Sequence, residues 1–236
     1  MKKKNDMYTC ALIVAAGKGT RMNTDISKQY IDIAGKPLIA WTIEAFEDCE
    51  YIDEIVLVVS RDDIVYCKQN IVDVYGKGKI RSIVAGGVTR QESVSNGLCE
   101  VSGQCEIVLI HDGARPFVRE ETIIESIFTA SETGASCVAV PVKDTIKSSD
   151  WNGFIDNTLN REFLWSVQTP QTFKYDLILN AHKLATEEGI EGTDDSVLVE
   201  RTGHKVKLVM GSYDNIKITT PEDLPIAETI IKSREL

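Results

Sequence analysis

A glycine-rich segment near the start of the chain combines small residues with cations, as a phosphate-binding loop does. The segment Ala15-Ala16-Gly17-Lys18-Gly19-Thr20-Arg21 follows a short apolar run, and Lys28 comes soon after it. Small residues allow backbone N–H groups to close around phosphate oxygens. In a protein with a formal net charge of −10, the three cations Lys18, Arg21 and Lys28 favour a triphosphate ligand. A solvated basic turn is the alternative interpretation.

The spacing within this loop excludes two better-known phosphate loops. A Walker A loop requires G-x-x-x-x-G-K-[ST], which this segment does not contain. The dinucleotide-binding fingerprint requires a third small residue, and Met22 occupies that position. An NAD(P)-dependent Rossmann enzyme is therefore a minor alternative.

A second pair of glycines, Gly86-Gly87, ends another predicted strand. Without side chains, this turn lets a flat base approach the backbone, with Arg90 or Ser93 nearby. N–H and C=O groups of the backbone could then read the edge of the base. A simple left-handed turn is the alternative.

Two further segments place charged residues after or between predicted elements. His111-Asp112-Gly113-Ala114-Arg115-Pro116 follows an apolar strand, where Asp112 could hold Mg²⁺ or a ribose hydroxyl and Arg115 suits a phosphate. An ion pair that closes a turn is the alternative for these two residues. The segment 215–219 is predicted as a short strand with Lys217 and Thr219 on one face.

The elements that position these segments alternate between strand and helix. Strands are predicted at 8–16, 54–60, 79–85, 106–110, 136–142 and 205–210, and helices at 37–48, 63–74, 89–101, 120–133 and 174–188, with a short helix capped by Thr193 or Asp194 and a last helix from Thr220. Continuous Val/Ile/Leu strands between helices predict an α/β fold with a doubly wound, mostly parallel sheet. Ligands of such sheets lie outside the carboxyl ends of the strands.

Residues 143–168 interrupt this alternation, and Asn152-Gly153 predicts a β-hairpin there. Its strands are predicted at 145–148 and 154–158. An isolated two-stranded ribbon is marginal in water, so it must lie on another surface. The pattern leaves open whether that surface is a second copy of the chain or the hairpin's own domain.

Composition limits the remaining function classes. The 236 residues are 43% hydrophobic and 26% charged, as expected of one globular domain over 1–236 rather than a disordered or collagen-like chain. The acidic balance argues against a nucleic-acid binder. The longest apolar run is far below the roughly 20 residues that span a bilayer, so no membrane segment is expected. Six cysteines without metal-ligand spacing predict a reduced, cytoplasmic protein without disulfides or zinc.

Eight sequence strings, in this order, resemble a known enzyme family. They are AAGKGTRM, SKQY, AGGVTRQESV, HDGARPF, VKDT, NREFLWSVQTPQTF, GTDDSVLVE and DNIKITTPEDL. Together they are similar to the 2-C-methyl-D-erythritol 4-phosphate cytidylyltransferases, over about Ala11 to Glu228. A related family, the ribitol-5-phosphate cytidylyltransferases, shares several strings. However, Ala15-Ala16, Gly113-Ala114 and Leu164-Trp165 resemble the erythritol enzymes more.

The resemblance implies a role for each matching residue. Arg21 and Lys28 would stabilise the transition state, and Arg161 and Lys217 would position the acceptor phosphate. The residues implied to contact CTP are Ala15, Ala16, Gly17, Lys18, Gly19, Gly87, Ser93 and Gly113. The residues implied to surround the acceptor are Asp112, Arg115, Thr145, Thr169 and Thr193, to which the strand pattern adds Thr219. Some members carry an acid where Val88 stands, so any base contact of that side chain is absent here.

The implied reaction transfers a cytidylyl group from CTP to methylerythritol phosphate, with Mg²⁺ as cofactor and pyrophosphate as the second product. The nucleophile is a phosphate oxygen that is already ionised near neutral pH, since its second pKa is about 6. No general base is therefore required. The family forms a homodimer with a swapped arm, which would bring Thr145 and Arg161 to the neighbouring subunit's site. The alternatives are a ribitol-5-phosphate cytidylyltransferase and a non-catalytic nucleotide-binding module.

Overall fold

Strands and helices alternate along the chain, as the hydrophobic pattern predicts. The computed structural model describes residues 7–17 and 27–234. The strands in this part of the chain are β1 (Thr9–Ala15), β2 (Asp32–Ile33), β3 (Lys36–Pro37), β4 (Glu54–Val59), β5 (Ile80–Ala85), β6 (Ile107–Asp112), β7 (Ala135–Pro141), β8 (Lys147–Ser149), β9 (Ile155–Thr158), β10 (Trp165–Lys174) and β11 (Lys207–Met210). The α-helices are α1 (Leu38–Asp48), α2 (Ile64–Cys67), α3 (Asp73–Tyr75), α4 (Arg90–Leu98), α5 (Glu120–Thr133), α6 (Tyr175–Glu187), α7 (Asp195–Arg201) and α8 (Asp223–Arg234). None of the described helices is long and apolar enough to cross a bilayer.

A seven-stranded sheet organises the described residues, in the order β11-β7-β10-β6-β1-β4-β5. β1 pairs in parallel with β4 and β6, β4 with β5, and β7 with β11. The predicted doubly wound, mostly parallel sheet is therefore confirmed. The chain runs outward from β1 to β5 and then returns to β6 on the other side of β1. The strand order thus reverses between β1 and β6, which is where sheets of this kind open a ligand crevice.

The central strands bury both of their faces. On β1, Ala11 and Ile13 belong to an apolar cluster that includes residues of α1 and α5. Cys10 and Leu12 belong to a second cluster, which includes residues of α4 and α6. Because alternate side chains pack into two different layers, these strands appear in the sequence as continuous apolar runs.

Helix α4 lies close to the sheet at Gly97. The helix begins with the predicted capping box, in which the Thr89 hydroxyl accepts from the Glu92 N–H and the Glu92 side chain accepts from the Thr89 N–H. At Gly97, a Cβ atom would lie 2.3 Å from Leu12 Cδ1 and 2.7 Å from Val58 Cγ2. The missing side chain therefore sets the distance between α4 and the strands beneath it.

Strand β10 is the main element that the sequence pattern did not predict. It is antiparallel to both of its neighbours, β6 and β7. Its register with β7 shifts between Val167 and Gln171, and Pro170 lies at this irregularity. A proline inside a polar Gln-Thr-Pro-Gln string is not typical of a central strand, and the sequence pattern predicts no element between the hairpin and the helix at 174–188.

The predicted hairpin is present and is formed by β8 and β9. Gly153 has a φ of 85°, and the Asp150 side chain accepts from the N–H groups of Asn152 and Phe154. The first strand begins at Lys147, later than the predicted Thr145. The last residues of the predicted arm, 165–168, belong to β10, so the projecting part of the arm is shorter than 143–168.

Two predictions near the C-terminus were wrong. The segment 215–219 is not a strand, although the Ile218 N–H donates to the Ala114 carbonyl oxygen. The last helix begins at Asp223 rather than at Thr220, and the Asp223 carboxylate accepts from the N–H groups of Thr219 and Thr220. The Thr220 hydroxyl donates to the Asp223 carboxylate, whereas the side chain of an N-cap residue would accept from a backbone N–H of the first turn.

We predict that Gly97→Ala lowers the free energy of unfolding by about 1–3 kcal/mol, because its Cβ overlaps Leu12 and Val58. This loss reverses the gain of nearly 1 kcal/mol expected for alanine in an unstrained helix. Urea denaturation measures the difference. Gly103→Ala is the matched control, since a Cβ there has no neighbour within 4 Å, and its effect should stay within about 0.5 kcal/mol. A neutral or stabilising Gly97→Ala would contradict the close approach.

Candidate active site

Two adjoining cavities open at the carboxyl ends of β1 and β6. The first, which we call the nucleotide cavity, has a volume of about 240 Å³. Its lining includes Val14, Ala15, Ala16, Gly17, Lys28, Gly87, Val88, Ser93 and Ala114. The second, the acceptor cavity, has a volume of about 360 Å³ and is lined by Arg115, Val167, Gln168, Thr169, Gln171, Thr193 and Asp194, among others. Arg90, Asp112 and Lys217 line both cavities and form the wall between them.

The nucleotide cavity is formed where two small-residue loops come together. A Cβ at Gly86 would lie 2.3 Å from the Ala16 Cβ and 2.9 Å from the Ser93 hydroxyl. At the end of β6, a Cβ at Gly113 would lie 2.9 Å from the Ala15 Cβ. Both glycines therefore allow neighbouring loops to approach more closely than side chains would permit.

The N–H groups of the Gly86–Thr89 turn are already engaged within the protein. Gly86 donates to the Val59 carbonyl oxygen and Gly87 to the Ser93 hydroxyl, over 2.8 and 3.0 Å. Val88 and Thr89 both donate to one carboxylate oxygen of Glu92. The turn can therefore offer a base its carbonyl oxygens. Reading by backbone N–H groups, which the sequence also allowed, is not available at these four positions.

The carboxylate of Asp112 lies among three cations. It is 2.8 Å from Lys217 Nζ, 3.3 Å from Arg90 Nε and 3.7 Å from Arg115 Nε. Burial would raise the pKa of Asp112, but Arg90, Lys217 and Arg115 together hold that pKa well below its ordinary value. The carboxylate is therefore ionised at neutral pH and can only accept hydrogen bonds.

A second buried carboxylate, Asp195, holds Arg90 from behind. Its two oxygens lie 2.7 Å from Arg90 Nη1 and 3.2 Å from His182 Nε2. Burial would raise the pKa of Asp195, but the charge of Arg90 and the hydrogen bond from His182 lower it. The Gln171 side chain accepts from the Asp195 N–H over 3.1 Å and so fixes the start of α7 against β10.

The remaining residues of the predicted site fall into four groups. Lys28 lines the nucleotide cavity, where its Nζ lies 3.4 Å from the Ile218 carbonyl oxygen. Thr145 and Arg161 are exposed on the arm, outside both cavities of their own chain, and Arg161 donates to the Lys143 carbonyl oxygen. Thr219 was predicted to face the acceptor, but its hydroxyl instead donates to Asp223 at the start of α8. Lys18, Gly19 and Arg21 lie outside the described residues.

The sequence pattern does not reveal the polar network behind the two cavities. Arg90 was assigned only to the vicinity of the base, whereas it joins the two buried aspartates. Gln171 and Asp195 lie inside the quoted strings QTPQ and GTDD, which could have drawn attention to them. His182 lies alone on a helix, and no spacing in the sequence connects it with Asp195.

The cavities do not fit a metal ion held by protein ligands. No group of three or more His, Cys, Asp or Glu side chains within 7–17 and 27–234 could hold one. Asp112 was the predicted candidate, yet its oxygens already neutralise three cations. Mg²⁺ prefers one or two carboxylates without such competition, together with substrate phosphates. Asp112 is therefore a poor magnesium ligand.

A doubly wound α/β fold with a basic cleft at its switch point defines a protein that binds nucleotides or other phosphorylated ligands. Comparison with known proteins specifies it further. Residues 9–233 match the IspD family model, described as 2-C-methyl-D-erythritol 4-phosphate cytidylyltransferase, and the chain belongs to this family.

Individual relatives agree with this assignment over nearly their whole lengths. A 2-C-methyl-D-erythritol 4-phosphate cytidylyltransferase of Clostridium novyi is 56% identical over 95% of this chain and 96% of its own. One from Alkaliphilus oremlandii is 52% identical over 98% of both chains. A crystal structure of 4-diphosphocytidyl-2C-methyl-D-erythritol synthase from Anaerococcus prevotii superimposes with a TM-score of 0.87 at 37% identity, covering 97% of each chain.

We predict that Arg90→Met lowers the free energy of unfolding by about 3–5 kcal/mol at pH 7, because it leaves the buried Asp195 without its cation and removes one of the three cations around Asp112. The double variant Arg90→Met/Asp195→Asn should lose less than the sum of the two single variants. Denaturant unfolding of all four proteins measures this coupling. Arg81→Met is the control, since Arg81 contacts the buried Glu54 over 3.5 Å but is 57% exposed, and it should cost less than 1 kcal/mol or so.

The two buried carboxylates, Asp112 and Asp195, predict how this loss of stability depends on pH. The pKa values of Asp112 and Asp195 are lowered in the folded protein, so their stabilisation is present above the unfolded value of about 3.9 and is lost as the pH falls. The difference in the free energy of unfolding between wild type and Arg90→Met should therefore become smaller below about pH 4. If the two single-variant losses add exactly in the double variant, or if the stability difference does not depend on pH, Arg90 does not stabilise these carboxylates.

Proposed function

We propose that this protein is the cytidylyltransferase that joins CTP and 2-C-methyl-D-erythritol 4-phosphate, forming 4-CDP-2-C-methyl-D-erythritol and pyrophosphate for isoprenoid biosynthesis. The observation that carries the proposal is the wall shared by the two cavities, Arg90, Asp112 and Lys217. A nucleotide on one side and a phosphorylated acceptor on the other would meet there. Family membership specifies which nucleotide and which acceptor.

Recognition of cytosine follows from the Gly86–Thr89 turn. Its N–H groups are used internally, so the backbone of this turn can offer a base only carbonyl oxygens. A carbonyl oxygen can accept from the exocyclic amino group of cytosine, whereas the corresponding oxygen of uracil would be repelled. The side chain of Val88, which is 97% exposed within the turn, offers no hydrogen bond to a base. Ser93 supports the turn by accepting from Gly87 and donating to the Thr89 carbonyl oxygen.

The chemistry that these residues support is positional and electrostatic. The acceptor phosphate is already nucleophilic near neutral pH, so the protein need not remove a proton. His111 and His182 are buried in hydrogen-bonded positions, which suits support rather than proton transfer to substrate. The work of the site is to bring two anions together and to stabilise the charge that grows on the α-phosphate and the leaving pyrophosphate.

Cations on both sides of the reacting phosphate would supply this stabilisation. Lys28 lies in the nucleotide cavity and Lys217 in the shared wall. Arg21 lies outside the described residues. From the sequence, we propose that it stabilises the transition state together with Lys28. Since the cavities do not fit a metal held by protein ligands, we propose that the divalent cation enters as part of the substrate, bound to the triphosphate of CTP.

The arm gives the proposed homodimer its contact surface. Trp151, Phe154 and Phe163 are 105%, 73% and 75% exposed, respectively, on the hairpin or the turn that follows it. A two-stranded ribbon that exposes large aromatic side chains requires a surface to cover them. A second copy of the chain would cover them and would bring Thr145 and Arg161 to the neighbouring acceptor cavity. We propose the cytoplasm as the location, where the five buried thiols would stay reduced.

The direct test is pyrophosphate release by the purified protein. We expect rapid release with CTP and methylerythritol phosphate, and much slower release when ribitol 5-phosphate replaces the acceptor or UTP replaces the nucleotide. Mass spectrometry of the product identifies the CDP-alcohol. Equal turnover of CTP and UTP would contradict the reading of cytosine by carbonyl oxygens. Preference for ribitol phosphate would contradict the assigned acceptor.

The swapped arm predicts that inactive chains can complement one another. Lys28→Ala and Arg161→Ala should each lower kcat on the order of 10²-fold, since each removes a preorganised cation. When the two variants are mixed, some heterodimers contain one site with both residues intact, so activity should return. Native mass spectrometry checks that subunits have exchanged. Exchange without recovered activity would place Arg161 in the site of its own chain.

A further inference from the structure

The hydroxyl of Thr169 lies between two fixed partners at the base of the acceptor cavity. The Asp112 N–H donates to Thr169 Oγ1 over 3.1 Å, and the same oxygen lies 3.1 Å from His111 Nδ1. Thr169 is 4% exposed and His111 is fully buried. The direction of the second hydrogen bond depends on which ring nitrogen of His111 carries the proton.

The second ring nitrogen settles this direction. His111 Nε2 lies 3.0 Å from the Arg115 carbonyl oxygen, which can only accept. In a neutral ring Nε2 therefore carries the proton, and Nδ1 is an acceptor. Burial lowers the pKa of His111 to about 4, so the ring is neutral at pH 7. The Thr169 O–H must then donate to Nδ1.

We infer that Thr169 offers the acceptor cavity a hydrogen-bond acceptor and no donor, and that His111 is the positioning residue that enforces this. The hydroxyl proton is directed at His111, and one lone pair of the oxygen accepts from the Asp112 N–H. One lone pair remains for a ligand. The ionised carboxylate of Asp112, next to it in the cavity lining, also only accepts.

Thr169 and Asp112 thus form an acceptor-only edge in a cavity whose other charged lining includes the cations Arg90, Arg115 and Lys217. A phosphate oxygen is itself an acceptor and would be repelled from this edge. Hydroxyl groups of a polyol would donate to it. The edge therefore favours acceptor substrates that place a hydroxyl group at Thr169. It disfavours substrates that place a fluorine, a keto oxygen or a hydrogen there. This specificity rests on the proposed function, whereas the ring tautomer of His111 does not.

Long-range ¹⁵N–¹H NMR of the wild-type protein at pH 7 tests the tautomer. We expect His111 to show a protonated Nε2 and an unprotonated Nδ1, assigned by comparison with His111→Asn. A protonated Nδ1, in either the other tautomer or the imidazolium, would overturn the inference, because Thr169 could then donate to a ligand. This measurement needs no substrate and remains decisive if the protein turns over none of the proposed acceptors.

Kinetics with modified acceptors test the consequence for specificity. Derivatives of methylerythritol phosphate are compared in which one hydroxyl at a time is replaced by fluorine. For the derivative that lacks the hydroxyl facing Thr169, kcat/KM should be on the order of tenfold lower than for the parent acceptor in both wild type and Thr169→Ser. In Thr169→Val, this derivative and the parent acceptor should have the same kcat/KM. Thr169→Ser keeps the oxygen and its two partners, so it is the matched control. Equal penalties in all three proteins for every derivative would overturn the acceptor-only edge.

Discussion

The ion pairing around Asp112 is the interaction on which the arrangement of the site depends. Three cations converge on one carboxylate at the end of β6, and each comes from a different part of the chain: the start of α4, the loop after β6 and the segment before α8. Without the carboxylate, these partly buried cations would repel one another at a high desolvation cost. With it, the cluster keeps an excess of positive charge, which a cleft for two phosphorylated substrates requires.

A second layer holds this cluster in place. Asp195 also binds Arg90, which is therefore shared between two carboxylates. His182 and Gln171 in turn hold Asp195 in place. On the other side, His111 and Thr169 support the backbone of Asp112 and Arg115. Positive and negative groups therefore alternate from the core to the cavity wall. Such an order suits a reaction whose catalysis comes from preorganised charge, because the groups that face the phosphates need not reorganise during transfer.

The formal charge of the chain and the charge of the cleft have opposite signs, and they act at different distances. The surface carries most of the 36 acidic residues, and their effect is screened by salt within about 10 Å. The cations of the cleft are partly desolvated, so they attract phosphate groups at short range. In the proposed homodimer, Arg161 of the arm would add a further cation to the neighbouring cavity. An acidic protein can thus bind two anionic substrates without becoming a general polyanion binder.

The sequence by itself determined the features that depend on neighbouring residues: the buried strands and amphipathic helices, the Thr89–Glu92 capping box, the Asn152-Gly153 turn, and the loops that end at the carboxyl edge of the sheet. Backbone propensity and periodicity encode these features locally. Only the tertiary structure decided that Gln171 and Asp195 stand behind Arg90, that β10 runs antiparallel between β6 and β7, and that Thr219 faces Asp223. These depend on contacts between distant segments, in which a polar residue takes whichever partner the packing brings within hydrogen-bond distance.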